Sequence, residues 1–279
     1  MFPWSPDFTF DAGHVIFLGA FYLVVLVIGG SVAMAAFRAI RDFRQQRQEA
    51  IRWHGDFEDL PVSARRCRHE LTGEVRSRTC PNAFDCRECE AHPALVALRS
   101  SDFEATAGTG ADYGLSMPPD RMYHRGHTWA KKEEDGTVTV GLDDLGRRLL
   151  GHPDRLDLPV SGTRVEANGV AIRAKKGNAD VRLLSPVDGT VVQVGSLEDG
   201  WLYRVSPPEG GLDTRHLLSG AEVRPWILRE VERLQEVLAG EKSAVGLALA
   251  DGGTPLEDLS IAIPKNEWDR AFGEMFLEP

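Results

Sequence analysis

The sequence predicts an α+β protein, mainly β, in which a small β-sandwich or barrel follows one transmembrane helix and a small cysteine-rich module. Three observations predict it. An uncharged apolar run fills residues 15–37, and all four cysteines fall between residues 67 and 89. From residue 123 onward, short alternating segments are separated by turn residues. A chain of 279 residues has room for two small domains or one domain with extensions. Its 42% apolar and 27% charged content is that of a folded protein. The net charge of −10, spread without a long acidic run, argues against a general nucleic-acid binder.

Residues 15–37 are mostly Val, Leu, Ile, Ala, Phe and Gly. At about 1.5 Å per residue they make a helix about 34 Å long, enough for a hydrocarbon core of about 30 Å. Residues 1–14 hold Asp7 and Asp11 and no Lys or Arg, whereas Arg38, Arg41, Arg44 and Arg47 follow the span. The positive-inside rule therefore predicts a single-pass protein of the inner (cytoplasmic) membrane. Its residues 1–14 lie outside and its bulk is cytoplasmic. A cleaved signal peptide would want a basic start and a shorter apolar region. Residues 38–60, rich in Arg, Gln and Glu at their start, read as a helical stalk whose arginines touch anionic headgroups.

Residues 61–99 hold Cys67, Cys80, Cys86 and Cys89, the last two as one CxxC turn. On a reducing side of the membrane two disulfides are disfavoured. Four thiolates suit tetrahedral zinc, with an iron–sulfur cluster as the alternative. His69 and His92 stand close by as substitute ligands, and Arg65, Arg66, Arg68, Arg76, Arg78 and Arg87 would offset the thiolate charge. With four protein ligands the centre would be structural. Free or redox-active thiols are the other reading.

Residues 100–121 read as a linker. The β region then runs over 122–238, and 239–279 form a C-terminal extension. Residues 137–141 alternate after the turn Glu134-Asp135-Gly136. Residues 143–150 read as a short helix, with acids in the first turn, Arg147 and Arg148 near the end and Gly151 as the stop. Strands follow at 169–174, 181–185, 190–194 and 201–205. Residues 221–238 are amphipathic, with Val223, Ile227, Val231, Leu234 and Leu238 at helical spacing.

Several segments here occur in a recognisable order. They are Tyr123-His-Arg-Gly-His-Thr-Trp129, Gly136-Thr-Val-Thr-Val-Gly-Leu142, Leu150-Gly151, Leu158-Pro159, Ser185-Pro-Val-Asp-Gly189 and Gly200-Trp-Leu-Tyr-Arg-Val205. Together, over residues 122–231, the set resembles the glycine cleavage system H protein. The resemblance implies a lipoyl-type β-sandwich, the barrelled-sandwich hybrid of lipoyl and biotinyl carriers. It also implies lipoate amide-linked to a lysine at a hairpin tip, and a carrier that catalyses no chemistry itself. Two registers compete for that lysine. An ungapped count back from Ser185-Pro186 places Asn178 there, which cannot form the amide. Counting from Asp180 places Lys176 there, at the expense of two extra residues. Lys175 is the neighbouring amine.

Tyr123, His124 and His127 are candidates to line a groove for such an arm, with Trp129 read as core. His152 and His216 read as surface or helix-end residues. Residues 266–277 read as an amphipathic helix bearing Trp268, Phe272, Met275 and Phe276, packed on its own domain or offered to a partner. Three functional readings follow. The first is a non-enzymatic membrane-anchored scaffold that docks a cytoplasmic protein partner. The second is a lipoylated carrier using Lys176. The third is an iron–sulfur or thiol redox adaptor.

Overall fold

The computed structural model describes residues 11–44, 57, 60–98, 114–239 and 258–277. The chain divides into two compact units, 1–53 and 54–279. In the first, α1 spans Ala12–Arg44. Its residues Ala12–Phe37 are long and apolar enough to cross a membrane, with mean hydropathy 2.5. The transmembrane expectation thus meets a helix of the required length and composition. Most of the stalk expected at 38–60 lies outside the described residues.

In the second unit, short helices α2 (Arg68–Leu71) and α3 (His92–Ala97) belong to the cysteine segment. The β region follows with β1 (Met122–Tyr123), β2 (Thr128–Lys132), β3 (Val138–Leu142), helix α4 (Asp144–Leu150), β4 (Arg155–Asp157), β5 (Arg164–Val165), β6 (Val170–Lys176), β7 (Ala179–Leu184), β8 (Gly189–Ser196) and β9 (Trp201–Ser206). Helices α5 (Val223–Ala239) and α6 (Trp268–Met275) complete it. The strands form a six-stranded sheet, β1-β2-β3-β9-β8-β5, and a three-stranded sheet, β4-β6-β7. Every pairing is antiparallel. This is the mainly β, two-sheet fold the alternation predicts.

The local chemistry explains the elements. Asp143 caps α4, its carboxylate accepting from the Gly146 amide at 2.7 Å. Trp129 is buried, and its indole N–H donates to the Leu142 carbonyl at 2.7 Å. Burying that ring therefore leaves no polar atom unpaired. Between the sheets, the Tyr203 hydroxyl donates to Ser185 Oγ at 2.9 Å, and Ser185 in turn donates to the Val187 carbonyl at 2.8 Å. The Ser185-Pro-Val turn is thereby fixed to the core. Along α5, Val223, Ile227, Val231 and Leu234 of the expected apolar stripe are buried and Trp226 joins them, while the Leu238 side chain lies outside the described residues.

The cysteine segment packs on the β region through charge. Buried Arg68 bonds Glu222 and the Arg215 carbonyl. Arg87 bonds Asp85 and also Asp188 in the turn between β7 and β8. Arg125 reaches back to the carbonyls of Arg66 and Ala64 and lies over the Phe84 ring at 4.2 Å. At the other end of the unit, Phe272, Met275 and Phe276 enter the main core. The C-terminal helix is therefore packed on its own domain.

Candidate functional site at the hairpin tip

Strand alternation on β6 turns Ile172, Ala174 and Lys176 inward and Arg173 and Lys175 outward. Lys176 pairs with Ala179, so Gly177 and Asn178 form a two-residue turn. Gly177 has φ +58°, a conformation glycine adopts without strain at the first position of such a turn. Asn178 thus stands exposed at the tip. Lys176 is the last residue of the strand and only 6% exposed.

The ammonium of Lys176 is enclosed by three groups. Nζ donates to the Leu150 carbonyl at 2.7 Å. It lies 3.3 Å from Asp258 Oδ2 and 3.4 Å from Oδ1. The ring of Trp268 sits 5.8 Å away, within reach of a cation–π attraction. Two glycines make room for this cover. A Cβ on Gly151, the residue that ends α4 at φ +59°, would lie 2.2 Å from the Asp258 carboxylate. A Cβ on Gly177 would lie 2.9 Å from the Trp268 ring.

Asp258 and Trp268 belong to residues 258–277, which lie over the tip and hold together by their own bonds. Asp258 caps the turn of 3₁₀ helix Leu259–Ala262, accepting from the Ser260 amide at 3.0 Å and from its hydroxyl. Burial alone would raise its carboxyl pKa, but the Ser260 hydroxyl and the Lys176 ammonium outweigh burial and hold it below the usual range. The Trp268 indole donates to the carbonyls of Ser260 and Ile263 at 3.1 and 3.0 Å. Arg233 on α5 donates to the Glu274 carbonyl at 2.7 Å, and Arg270 donates back to the Val237 carbonyl at 3.0 Å.

A covalent arm on Lys176 requires an amine in solvent. The amine here has a carbonyl, a carboxylate and an aromatic face around it, so this arrangement does not fit an attached lipoyl group. Lys175, exposed and opposite Asp180, is the accessible amine of the pair. The groove suggested for such an arm is also absent among the described residues. Tyr123, His124 and His127 are all buried. His124 bonds Asn168 at 2.7 Å and accepts from the Gly126 amide at 3.0 Å, and burial pushes its pKa down to about 3. His127 bonds the Asp143 carboxylate at 2.9 Å and stacks on Trp226. His216, read from sequence as a surface or helix-end residue, is buried with its Nε2 2.7 Å from the Pro186 carbonyl. His152 is exposed as expected.

The structure gives no support for the four-thiolate centre expected from Cys67, Cys80, Cys86 and Cys89. Among the described residues, no three His, Cys, Asp or Glu side chains come together in a set able to hold a metal ion. Neither zinc nor an iron–sulfur cluster therefore has support. The isolated bridge of Arg66 with Thr79 sets Cys67 and Cys80 side by side, both buried, and Cys86 lies near enough to both for their charge to oppose its ionisation. Cys80 packs with Leu60, Ala64, Phe84, Leu184 and Leu277 as a small apolar side chain. Cys86 and Cys89 sit half-buried on the following loop. Burial raises the Cys67 thiol, and it raises Cys86 to about 11, against the pull of Arg68. His69 Nε2 and His92 Nδ1 pair with each other at 2.9 Å.

Two curled antiparallel sheets and a lysine at a hairpin end define a carrier-type β domain. Residues 121–224 match the family model of the glycine cleavage H-protein. The H protein of Shewanella denitrificans (strain OS217) is 32% identical over 107 residues, which cover 34% of this chain and 83% of that relative. The H protein of Enterobacter sp. (strain 638) is 31% identical over 103 residues, covering 32% and 80% respectively. The chain belongs to the glycine cleavage H-protein family. A solved H protein from Mycobacterium marinum is 26% identical, with 38% of this chain and 94% of that chain covered and a TM-score of 0.33.

Proposed function

We propose that this chain is a non-enzymatic, membrane-anchored H-protein-type domain that serves as a docking platform for another protein, without a lipoyl arm. The observation that carries the reading is the enclosure of Lys176 Nζ by the Leu150 carbonyl and Asp258. An amine committed to internal bonds holds the tip shut, and the outward position of the turn belongs to Asn178. Family membership supports the carrier fold and a non-enzymatic role. The length and composition of α1 support a membrane anchor, and the arginines after the span support a cytoplasmic location for the domain.

The test is the intact mass of the full chain produced in a lipoylating host, with an authentic H protein as positive control. The docking reading expects the control to carry lipoate and this chain to carry none. Lipoate on this chain overturns it. Anchoring is tested on membranes washed at high pH, where the chain should stay in the pellet.

A lipoylated carrier with Lys176 as the attachment site is the second reading. Its support is that a lysine does stand at the hairpin end of an H-protein domain. It requires residues 258–277 to leave the tip before a ligase can act.

A further inference from the structure

We infer that residues 258–277 act as a lid built into the chain over the Lys176 amine, so that the amine reacts with an acyl donor only when the lid is released. The inference rests on geometry alone and stands whether the domain docks a partner or carries an arm.

Three features distinguish a lid from ordinary core packing. The first is that the cover ends in groups chosen for a cation. Asp258 offers both carboxylate oxygens, and Trp268 offers its ring face. The second is that the segment covers the inward of two adjacent amines. Strand alternation leaves Lys175 exposed on one face, and the segment lies over Lys176 on the other. The third is that much of the cover comes from far along the chain. Among the described residues Nζ bonds the Leu150 carbonyl, at 2.7 Å, within the domain, and the Asp258 and Trp268 contacts come from a segment 82 or more residues further along the chain. With the segment lifted, Lys176 would keep its place beside Gly177 at the tip and turn its amine to solvent. Release gives up the core contacts of Phe272, Met275 and Phe276, so the opened state is a minor one, but such opening can be local to the segment and costs less than global unfolding.

The chemistry exposed is simple. A neutral Lys176 amine attacks the carbonyl of an activated acyl donor. The N–C amide bond forms as the bond to the leaving group breaks, and the amine's proton passes to water.

The neighbouring lysines supply their own control. The full chain is treated under native conditions with a low dose of N-hydroxysuccinimidyl acetate, and acetylation at Lys175 and Lys176 is resolved by fragmentation mass spectrometry. In the unaltered chain, Lys175 should be acetylated at least about tenfold faster than Lys176, because only the opened state reacts at the latter. Asp258→Asn and Trp268→Ala should each raise the Lys176 rate several-fold and leave Lys175 unchanged. Hydrogen exchange of β2 and β3 amides shows that the domain stays folded in each variant, and exchange across 258–277 reports the lid. Equal rates at the two lysines in the unaltered chain overturn the inference. So does unchanged protection of Lys176 in both variants. With the segment still docked, Asp258 and Trp268 would not be what holds it. With the segment released, it would not be what shields the amine.

Discussion

The Lys176–Asp258 pair should show a measurable coupling in a double-mutant cycle of Lys176→Met and Asp258→Ala. Their side chains are 8% and 16% exposed, and the closest N–O distance is 3.3 Å. At an effective dielectric of about 20, two unit charges at that separation attract by about 5 kcal/mol before any cost of burial. Desolvation of both groups removes most of this, and the long, two-oxygen geometry is not that of an ideal ion pair. A net coupling of about 1–2 kcal/mol remains. The single changes should differ. Asp258→Ala leaves a buried ammonium with the Leu150 carbonyl alone and should cost about 2–3 kcal/mol. Lys176→Met leaves Asp258 bonded to the Ser260 amide and hydroxyl, and should cost about 1 kcal/mol. Urea unfolding of the full chain in mild detergent, followed by tryptophan fluorescence, measures all four corners. A coupling below about 0.3 kcal/mol would mean that the two groups are neighbours without being partners, and the account of the tip would fail.

Three further outcomes are expected. Acid should destabilise the domain well before its carboxylates titrate. His124 has a folded-state pKa of about 3 against an ordinary 6.5, so the unfolded chain takes the proton first. Its contribution is full above about pH 6.5 and declines as pH falls toward 3, by up to about 1.4 kcal/mol per pH unit. Burial lowers His216 as well, so His124→Gln should reduce the slope between pH 6 and 5 by about one proton and leave a smaller remainder. An unchanged slope would remove His124 from the explanation. Glu230→Ala should cost about 3–5 kcal/mol in thermal or urea unfolding. Burial pushes that carboxyl up, but Arg233, His127 and Arg125 hold it below its usual range, and its removal leaves two buried guanidinium groups without that counter-charge. A loss under about 1 kcal/mol would show the network to be solvated. Cys86 should alkylate with iodoacetamide at pH 7 at least about 100-fold more slowly than free cysteine, because its thiol sits near pKa 11. A rate matching free cysteine would contradict its burial against Arg68.

Much of the β region was legible because its signals are local. The alternation in Thr137-Val-Thr-Val marks β3, and Asp143 and Gly151 mark the ends of α4 within about a residue. Trp129 announces a core ring by its place in the first long strand of the β region. The apolar run of α1 needs no context at all. What could not be read is set by contacts far apart in sequence. Asp258 lies 82 residues beyond Lys176, and Glu222 lies 154 beyond Arg68. No spacing rule foretells either pair. His216 looked like a surface residue because nothing nearby announces the Pro186 carbonyl that receives it. The surroundings of the cysteines were hidden for a related reason. Their spacing fits a metal site, but Cys80 lies among Phe84, Leu184 and Leu277, the last of which comes from the opposite end of the chain. A local signal could have pointed to the capped lysine. Strand parity from buried Ile172 and Ala174 turns Lys176 inward, and that alone argues against a freely swinging arm.

The central claim is that an H-protein fold here keeps its hairpin amine for internal bonding. The most direct measurement is mass spectrometry of the peptide containing Lys175 and Lys176, isolated from the cells that make the protein. Both lysines unmodified is the result expected. A lipoyl amide on Lys176 in most of the molecules would contradict it.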